Sequence, residues 1–376
     1  MMMTKTTVLI NVLHAKSGGA VTHIQNILPV LSRDERLQIY VYAHESQRHL
    51  NLHECAEVFY STWRAGFFRT LVCEQLFVPR YAHIIGANVT FSPANYGPIF
   101  APGSVILLRN ALSVGLIERR PLKVLYWGAL FLMTALSSLR ARQVIAVSKY
   151  ASKQVGGLIA SLIESKLSIV PHGVAECFLE AGKKVTPIDS KKSPDLLVVS
   201  DIYVQKNLHT LLDALVLLKR DKPDVHLSIA GERIDESYAA RIDAQIANEG
   251  LTENVCFVGR KSPEELVALY TTCKVFVFPS TVETFGNPLV EAMACGAAIA
   301  CAHSAALPEV AEDAVAYFDP HDKQAIAHVI GNLLNDPVSR AAYAARALEQ
   351  AKQYSWPMTA MRTATVLVNA SRSVDV

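Results

Sequence analysis

Two glutamates separated by seven residues, Glu283 and Glu291, lie in the segment of this chain that is best suited to chemistry. Between them, Asn287-Pro288 is typical of a helix start, with Asn287 at the N-cap and Pro288 at the first helical position. A helix start offers unpaired backbone N–H groups and the positive end of the helix dipole, and phosphate is the usual ligand there. Carboxylates repel phosphate but accept hydrogen bonds from hydroxyls. The segment therefore predicts a site for a sugar nucleotide.

The alternative for each glutamate, taken singly, is a surface carboxylate. Glu291 would then be an exposed first-turn residue favoured by the helix dipole, and Glu283 a charge on a loop. A strand must precede them for the site to form, and residues 274–279 have the β-branched and aromatic pattern of one, ending at Pro279. The phosphate site is thus expected at the C-terminal tip of a strand.

Apolar strand-like runs alternate with helical segments along the whole chain, which predicts an α/β fold with two doubly wound sheets. The first half has strands near 7–13, 37–43, 89–92, 104–109, 143–148 and 167–171. The second half has strands near 195–201, 225–230, 255–258, 274–279, 297–302 and 314–318. A polar segment with two prolines, residues 182–194, is typical of a linker. We expect one domain over residues 1–184 and a second over 185–356, with ligands bound in the cleft between them.

Composition narrows the class of protein further. Of 376 residues, 51% are hydrophobic, which is enough for two buried cores. The seven cysteines are scattered and never have the spacing of a zinc site or a disulfide framework, which favours a reducing cytoplasm. The first residues lead straight into a strand-like run without the pattern of a signal peptide. We also find no Asp-x-Asp or Walker motif, so neither a metal nor a cofactor is expected.

Charge is divided unequally between the halves of the chain. Residues 1–186 contain 19 Lys and Arg against 10 Asp and Glu, whereas residues 187–376 contain 17 against 24. The basic half also holds the apolar segment 122–136, which is bracketed by arginines and too short to span a bilayer. It is either a buried helix or an interfacial helix on anionic lipid, and we favour a peripheral membrane contact. Nucleic acid is a weaker candidate because no stacking or recognition motif accompanies the charge.

The segment 283–296 resembles the signature of the retaining family 4 glycosyltransferases, which have the GT-B fold of two Rossmann-like domains facing across a cleft. Further landmarks occur in the order of that family along almost the whole chain. They are Gly18-Gly19, Val147-Ser148, Val170–Val174, Lys206-Asn207, Gly259, Pro308-Glu309 and Ser355-Trp356. The resemblance also implies that a terminal helix, residues 357–376, crosses back to pack on the first domain.

The resemblance implies specific roles within a donor site. Glu283 would bind hydroxyls of the donor sugar, Glu291 the ribose hydroxyls, and the backbone around Gly286 the distal phosphate. Lys206 would stabilise the charge that grows on the leaving diphosphate, in place of a metal. We predict that Lys206, Glu283 and Asn110 are catalytic. The donor-binding residues are predicted to be Gly18, Gly19, Lys206, Arg260, Glu283, Phe285, Gly286, Asn287, Pro288, Leu289 and Glu291.

Two positions depart from the family pattern. Asp201 stands where the family usually has an arginine, which leaves Lys206 or Arg260 to supply positive charge. Asn110 stands where many relatives carry a histidine, and its amide cannot take a proton. The resemblance implies a same-face mechanism in which the leaving phosphate oxygen accepts the proton, so that no enzyme base is needed.

We therefore expect a cytoplasmic retaining transferase that moves a hexose-type sugar from a UDP-, GDP- or ADP-sugar to a glycan or lipid-linked glycan. One alternative is a glycosidase with Glu283 and Glu291 as paired carboxylates, marked by release of free sugar without nucleotide. A second is a sugar-nucleotide epimerase, whose product stays nucleotide-linked. A third is a non-catalytic sugar-nucleotide sensor or scaffold, which would bind nucleotide without transfer.

Overall fold

The computed structural model describes residues 5–15, 18–63, 66–110, 121–183 and 194–372. The chain divides into two compact units. Unit 1 consists of Met1–Gly173 with Trp356–Val376, and unit 2 of Val174–Ser355. Each is an α/β unit built on one parallel sheet, as the alternating pattern predicts.

Unit 1 contains a seven-stranded parallel sheet in the order β3-β2-β1-β4-β5-β6-β7. Its strands are β1 (Thr6–Asn11), β2 (Leu37–His44), β3 (Glu57–Ser61), β4 (Val89–Ser92), β5 (Val105–Leu108), β6 (Gln143–Ala146) and β7 (Leu167–Ile169). The central strands are buried along their whole length because helices cover both faces of a parallel sheet. The strand order reverses between β1 and β4, and ligands bind at such a point in doubly wound folds.

Six α-helices belong to unit 1 in the described ranges. They are α1 (Gly19–Leu31), α2 (Phe67–Ile84), α3 (Pro121–Arg140), α4 (Lys149–Lys153), α5 (Gly157–Ile163) and α14 (Trp356–Arg372). The last of these is the C-terminal helix, and it packs on α1 and on strands β1, β4 and β6. Its contacts include a hydrogen bond from the Thr359 hydroxyl to the Pro171 carbonyl at 2.9 Å. A helix distant in sequence thereby completes the core of unit 1.

Unit 2 has a six-stranded parallel sheet in the order β10-β9-β8-β11-β12-β13. The strands are β8 (Leu196–Val199), β9 (Leu227–Ala230), β10 (Val255–Gly259), β11 (Val275–Phe278), β12 (Ile299–Ala302) and β13 (Ala316–Phe318). The helices are α6 (Glu176–Ala181), α7 (Leu208–Asp221), α8 (Glu236–Asn248), α9 (Pro263–Thr272), α10 (Asn287–Ala294), α11 (Leu307–Ala311), α12 (Lys323–Asn335) and α13 (Pro337–Ala351). Its strand order reverses between β8 and β11.

All six strands expected in the second half are present, and the first half contains one strand, β3, that the sequence does not predict. It lies at the edge of the sheet, where its side chains alternate between exposed and partly buried, and it lacks the continuous apolar run of the others. The units divide between Gly173 and Val174, ahead of the predicted boundary at 184/185. The reason is that α6 packs on α9 and α10 of unit 2. Most of the predicted linker, residues 184–193, lies outside the described residues.

In the part of the chain that the structure describes, no helix has both the length and the apolar character needed to cross a bilayer.

Candidate functional site

Lys206 and Glu283, predicted separately, are in direct contact in unit 2. The Lys206 Nζ lies 2.6 Å from the Glu283 Oε1, and both side chains are largely buried. Lys206 follows β8 and Glu283 follows β11, the two strands at which the sheet order reverses. The carboxyl ends of such strands form the ligand crevice of doubly wound sheets. The structure thus brings an ammonium and a carboxylate together at the expected ligand-binding edge.

Asn207, the residue after Lys206, holds the Lys206 loop in place. Its backbone adopts the left-handed conformation with φ 56°, and its side chain is buried. The side-chain amide donates to the carbonyl of Pro279 at 3.2 Å and to that of Pro320 at 2.7 Å. It therefore ties the loop after β8 to the end of β11. Asparagine suits this position because it tolerates left-handed backbone and can donate twice.

The helix beyond Glu283 begins one residue earlier than predicted. Helix α10 starts at Asn287, and Gly286 rather than Asn287 is the N-cap residue. Gly286 has φ 90°, and a Cβ there would lie 3.0 Å from the Leu307 side chain. Only glycine fits this combination of positive φ and tight packing. Pro288 has no amide hydrogen, and the Leu289 amide donates to the Gly286 carbonyl at 3.0 Å, so few backbone donors of this helix start are left for a ligand. An anion site there stays a prediction that rests on the helix dipole and on the amides before Pro288.

Glu291 lies within α10, where its carboxylate accepts a hydrogen bond from the Tyr270 hydroxyl at 3.1 Å. Burial raises the pKa of Glu291 to about 7, and the tyrosine hydrogen bond lowers it only in part. No lysine or arginine is paired with it in the described ranges. A buried carboxyl group with a raised pKa is suited to ligands that donate hydrogen bonds to it, because the hydroxyls of such a ligand stabilise the ionised form.

Arg260 pairs with a residue outside the Lys206–Glu283 contact. It follows β10, its side chain is 73% exposed, and its guanidinium pairs with Glu232 at 3.3 Å. The backbone amide of Glu232 donates in turn to the carboxylate of Asp201 at 2.9 Å. Asp201, at the position where the family usually has an arginine, therefore serves to fix the loop after β9. A donor-binding role for Arg260 stays a prediction.

Phe285 and Leu289 are predicted donor-binding residues whose side chains turn into the core. Phe285 is 3% exposed and Leu289 is fully buried. The Phe285 ring packs edge-on against Tyr354, with centroids 5.5 Å apart. Any contact of these two residues with a ligand would therefore be made by the backbone.

The predicted residues of unit 1 lie at the carboxyl edge of its sheet. Gly18 is the N-cap of α1 and has φ 57°, so it needs the left-handed freedom of glycine, and Gly19 begins the helix. Asn110 is exposed, and its backbone amide donates to the Asn95 side chain at 3.0 Å. The same Asn95 oxygen accepts the Arg109 amide at 3.0 Å. Asn95 is buried, and no sequence motif marked it.

Within the described residues, no three His, Cys, Asp or Glu side chains converge as metal ligands would. The positive charge beside Glu283 is supplied by Lys206.

Comparison with known proteins gives matches in sequence and in structure. The sequence profile of the family described as "Glycosyl transferases group 1" matches residues 183–352. The serotype-specific mannosyltransferase WbdA of Escherichia coli is 30% identical over 248 residues, which are 64% of this chain and 29% of that protein. The O-antigen chain mannosyltransferase B of Escherichia coli is 29% identical over 228 residues, or 60% of this chain and 57% of that protein. The matches thus span about three-tenths to three-fifths of these relatives.

Among solved structures, a glycosyltransferase from Rickettsia africae superimposes with a TM-score of 0.76 at 14% identity, over 98% of this chain and 99% of that one. Anabaena Alr3699/HepE, in complex with UDP and glucose, gives a TM-score of 0.73 at 19% identity, over 97% of this chain and all of that one. Such identities speak to the fold alone. Residues 183–352 thus match the glycosyl transferases group 1 family, and the two parallel sheets together with these superpositions show that the chain has the GT-B fold.

Proposed function

We propose that this protein is a retaining, metal-independent glycosyltransferase that transfers a hexose from a nucleoside-diphosphate sugar to a glycan or lipid-linked glycan. The observation that carries the proposal is the Lys206–Glu283 contact at the carboxyl edge of β8 and β11, next to the start of α10. Mannose is the first candidate for the sugar, because the two Escherichia coli relatives are named mannosyltransferases. The Glu291 carboxyl supplies the acceptor for the ribose hydroxyls.

In the proposed reaction, the bond between the anomeric carbon and the diphosphate oxygen breaks as a bond to the acceptor hydroxyl oxygen forms. The hydroxyl proton passes to the leaving phosphate oxygen on the same face of the sugar, so that configuration is retained. Negative charge grows on the diphosphate, and the Lys206 ammonium stabilises it. Glu283, its partner in the free protein, holds the ammonium in position and accepts hydrogen bonds from hydroxyls of the donor sugar.

Nucleotide binding tests the proposal directly. UDP, GDP and ADP are added separately, and one of them is expected to raise the melting temperature, since ligand at 100 times Kd stabilises by about 2.7 kcal/mol. The substitution Glu291→Gln is expected to raise the Kd of that nucleotide roughly ten- to a hundredfold, because hydrogen bonds to a carboxylate contribute about 1.5–3 kcal/mol. The matched control is Glu264→Gln, an exposed first-turn carboxylate of α9.

The Kd of the nucleotide is expected to depend on pH. Ionised Glu291 accepts the ribose hydroxyls, so binding lowers its pKa from about 7, and affinity falls as the pH drops through that value. The Kd is expected to rise by up to about tenfold per pH unit below pH 7, and by much less in Glu291→Gln.

The proposed function also requires that the protein transfers sugar to a glycan acceptor, in addition to binding the nucleotide. A wild-type protein that binds none of the three nucleotides would contradict the proposal.

The proposed lipid-linked acceptor is supported by an apolar face of unit 1. Seven large apolar side chains of α3 are 41–71% exposed, and they are Val124, Leu125, Tyr126, Phe131, Leu132, Leu136 and Leu139. Helix α5 packs beside α3 and exposes Leu158 and Leu162. Residues 121–163 contain five Lys and Arg and no Asp or Glu. An apolar face without acidic residues, combined with basic ones, suits an anionic lipid surface. We name it the α3–α5 face.

Vesicle sedimentation tests this contact. The protein is expected to pellet with phosphatidylglycerol vesicles at low salt and to be released at high salt, because basic residues contribute through screened attraction. The double substitution Leu125→Gln with Leu132→Gln is expected to reduce the partition coefficient at least about tenfold, since each buried leucine contributes on the order of 1.5–3 kcal/mol. Val338→Gln, which alters an 80% exposed side chain of unit 2, is the control. Equal pelleting of both variants would argue against the α3–α5 face.

A further inference from the structure

A cavity of about 270 Å³ lies at the amino-terminal edge of the unit 1 sheet. Ser104, just before β5, and Arg142, close before β6, both line it, and these two strands are neighbours in the sheet. Arg140, the last residue of α3, and Phe100 also line the cavity. The predicted site residues of this unit lie at the opposite, carboxyl edge. The cavity is therefore separate from them.

The two arginines that line the cavity have hydrogen-bond donors to spare. Arg140 is exposed, and its side chain has neither an ion pair nor a hydrogen bond within the described residues. Arg142 is half-buried, and its Nη1 donates to the Ala370 carbonyl at 2.7 Å. A guanidinium group carries five N–H donors, so most of those of Arg142 remain without a partner in the described part of the chain. Both positive charges are available to an anion.

Lys166 occupies the group that would otherwise compete for these arginines. The last carbonyls of a helix carry negative partial charge and attract cations. The Lys166 Nζ donates to the carbonyls of Leu139 and Ala141 at 2.7 Å and 2.6 Å, on either side of Arg140 in the chain. Because a lysine already satisfies the end of α3, the arginines are left for an anion from outside.

The Ser104 hydroxyl is a further donor at this cavity. It has no hydrogen-bond partner in the described residues, although Ser104 is only 7% exposed. The Ser104 carbonyl accepts the Arg142 amide at 2.8 Å, which joins the two lining residues. Gly103 has φ 53°, and a Cβ there would lie 2.2 Å from the Asn88 carbonyl oxygen, so the loop before β5 is closely packed. Guanidinium and hydroxyl donors in one cavity are suited to a phosphate group.

Exposed apolar side chains beside the arginines indicate the source of that phosphate. Phe100, which lines the cavity, is 73% exposed, and Leu136 and Leu139, near the end of α3, belong to the α3–α5 face. The Ser137 hydroxyl of α3 donates to the Gly97 carbonyl at 3.1 Å and so holds the loop of Phe100 against the helix. A phosphate ion in solution gains nothing from apolar neighbours. The phosphate of a membrane lipid, in contrast, lies between polar head groups and apolar chains.

We propose that this cavity binds the phosphate group of an anionic membrane lipid through the guanidinium groups of Arg140 and Arg142 and the Ser104 hydroxyl, with Phe100 against the apolar part of the lipid. The lipid as the source of the phosphate rests on the membrane contact that forms part of the proposed function, whereas binding of a phosphate ester does not. A discrete head-group site fixes the orientation of unit 1 at the membrane, beyond the general attraction of its basic residues.

Isothermal titration calorimetry of the full chain tests the site with dihexanoyl phosphatidylglycerol, kept monomeric below its micelle concentration. This probe offers a lipid phosphate without a charged surface, so it reports on the cavity even where vesicles do not bind. Inorganic phosphate is the second probe, because it offers negative charge without acyl chains. The wild type is expected to bind the lipid at least about tenfold more tightly than inorganic phosphate, since each buried CH₂ group contributes about 0.8 kcal/mol.

Arg140→Gln is expected to raise the Kd of the lipid probe at least about tenfold, the effect of losing one hydrogen bond to a charged group. Arg142→Gln is expected to do the same, but it also removes the contact with Ala370, so Arg140→Gln decides if that variant does not fold. Arg33→Gln is the matched control. It removes the same charge from an exposed arginine before β2, at the same edge of the sheet, and should change the Kd less than about twofold.

A further variant, Phe100→Ser, distinguishes a lipid from a phosphate ion. It is expected to raise the Kd of the lipid probe at least about fivefold, through loss of apolar contact, and to leave the Kd of inorganic phosphate unchanged. Wild-type protein that binds inorganic phosphate as tightly as the lipid, with no effect of Phe100→Ser on either probe, would show a soluble phosphate site and overturn the lipid assignment.

Three other results would overturn the site itself. They are failure of the wild type to bind either probe, equal Kd values for Arg140→Gln and Arg33→Gln, and a Kd lowered about tenfold by Asp375→Asn. Asp375 lies outside the described residues, five positions after Ala370, and tighter binding without it would assign the arginines to an internal ion pair. Nucleotide Kd is expected to stay at the wild-type value in Arg140→Gln. A wild type that binds the lipid probe but no nucleotide would contradict the proposed function and leave this site standing.

Discussion

Replacement of Lys206 by alanine is expected to lower kcat by roughly 10²–10³, with a smaller effect on nucleotide Kd. The ammonium stabilises charge that develops on the leaving diphosphate, and loss of one such stabilising group typically costs this factor. The Glu283 carboxylate, 16% exposed, would also lose its partner and repel the diphosphate. Steady-state transfer of sugar to the acceptor, with nucleotide affinity measured in parallel, distinguishes the two effects.

A matched control lies at the opposite edge of the same sheet. Lys274 pairs with Asp195 at 2.6 Å, the same distance as the Lys206–Glu283 contact, but at the amino-terminal ends of β8 and β11. Ligands of doubly wound sheets bind at the carboxyl ends, so Lys274→Ala is expected to change kcat by less than about twofold. If Lys206→Ala kept more than about a tenth of the wild-type kcat, its assigned role would be wrong.

Unit 1 is expected to lose stability steeply as the pH falls below about 6.5, because two buried histidines must take up protons on unfolding. Burial lowers the pKa of His172 to about 3 and that of His23 well below its ordinary value, and Arg109 lowers both further. The unfolded chain, with pKa near 6.5, therefore binds more protons than the folded one. A histidine that stays neutral in the folded state contributes a loss of about 1.4 kcal/mol per pH unit, so His172 alone removes roughly 2 kcal/mol between pH 6.5 and 4.5, and His23 adds to this loss.

Chemical denaturation at pH 7 and at pH 4.5 measures this loss. His23→Phe keeps an aromatic ring against His172 and Trp356, whose rings lie 5.2 Å and 5.7 Å from that of His23. Neither ring nitrogen of His23 has a hydrogen-bond partner in the described residues, so the substitution removes no hydrogen bond to those residues. The substitution is expected to reduce the loss of stability between pH 7 and 4.5, whereas His83→Gln, at an exposed position, should leave that loss unchanged. Identical pH slopes for the wild type and His23→Phe would contradict this explanation.

Much of the fold follows from local patterns. The strands of unit 2 are continuous buried runs such as Val275–Phe278, and such runs are visible in sequence because both faces of a parallel sheet are covered. Edge strand β3 has no such run, since one side of it meets solvent. The position of the α10 start was missed by one residue, because Gly286 acts as N-cap through backbone freedom and close packing on Leu307 rather than through a side chain.

The candidate site was predictable only in part. Glu283, Glu291 and Lys206 could be named because a strand, a loop and a helix start stand in a fixed order along the chain. Tyr270 and Asn207 could not be assigned their roles, because their partners are 21 and 72 residues away in sequence. The raised pKa of Glu291 is likewise a consequence of burial, which no local pattern reports.

By itself, the sequence determined the α/β class, the two successive sheets and the strand–loop–helix order that carries Glu283 and Glu291, because these depend on periodicity and on residues close together in the chain. Which charged side chains contact each other was decided only by the tertiary structure. It joined Lys206 to Glu283 across 77 residues and Glu74 to the loop of β1, where it faces His14. The physical reason is that parallel strands bring their carboxyl ends to one edge of a sheet whatever their separation in sequence. Contacts at that edge depend on strand order, which the residues of any one strand do not specify.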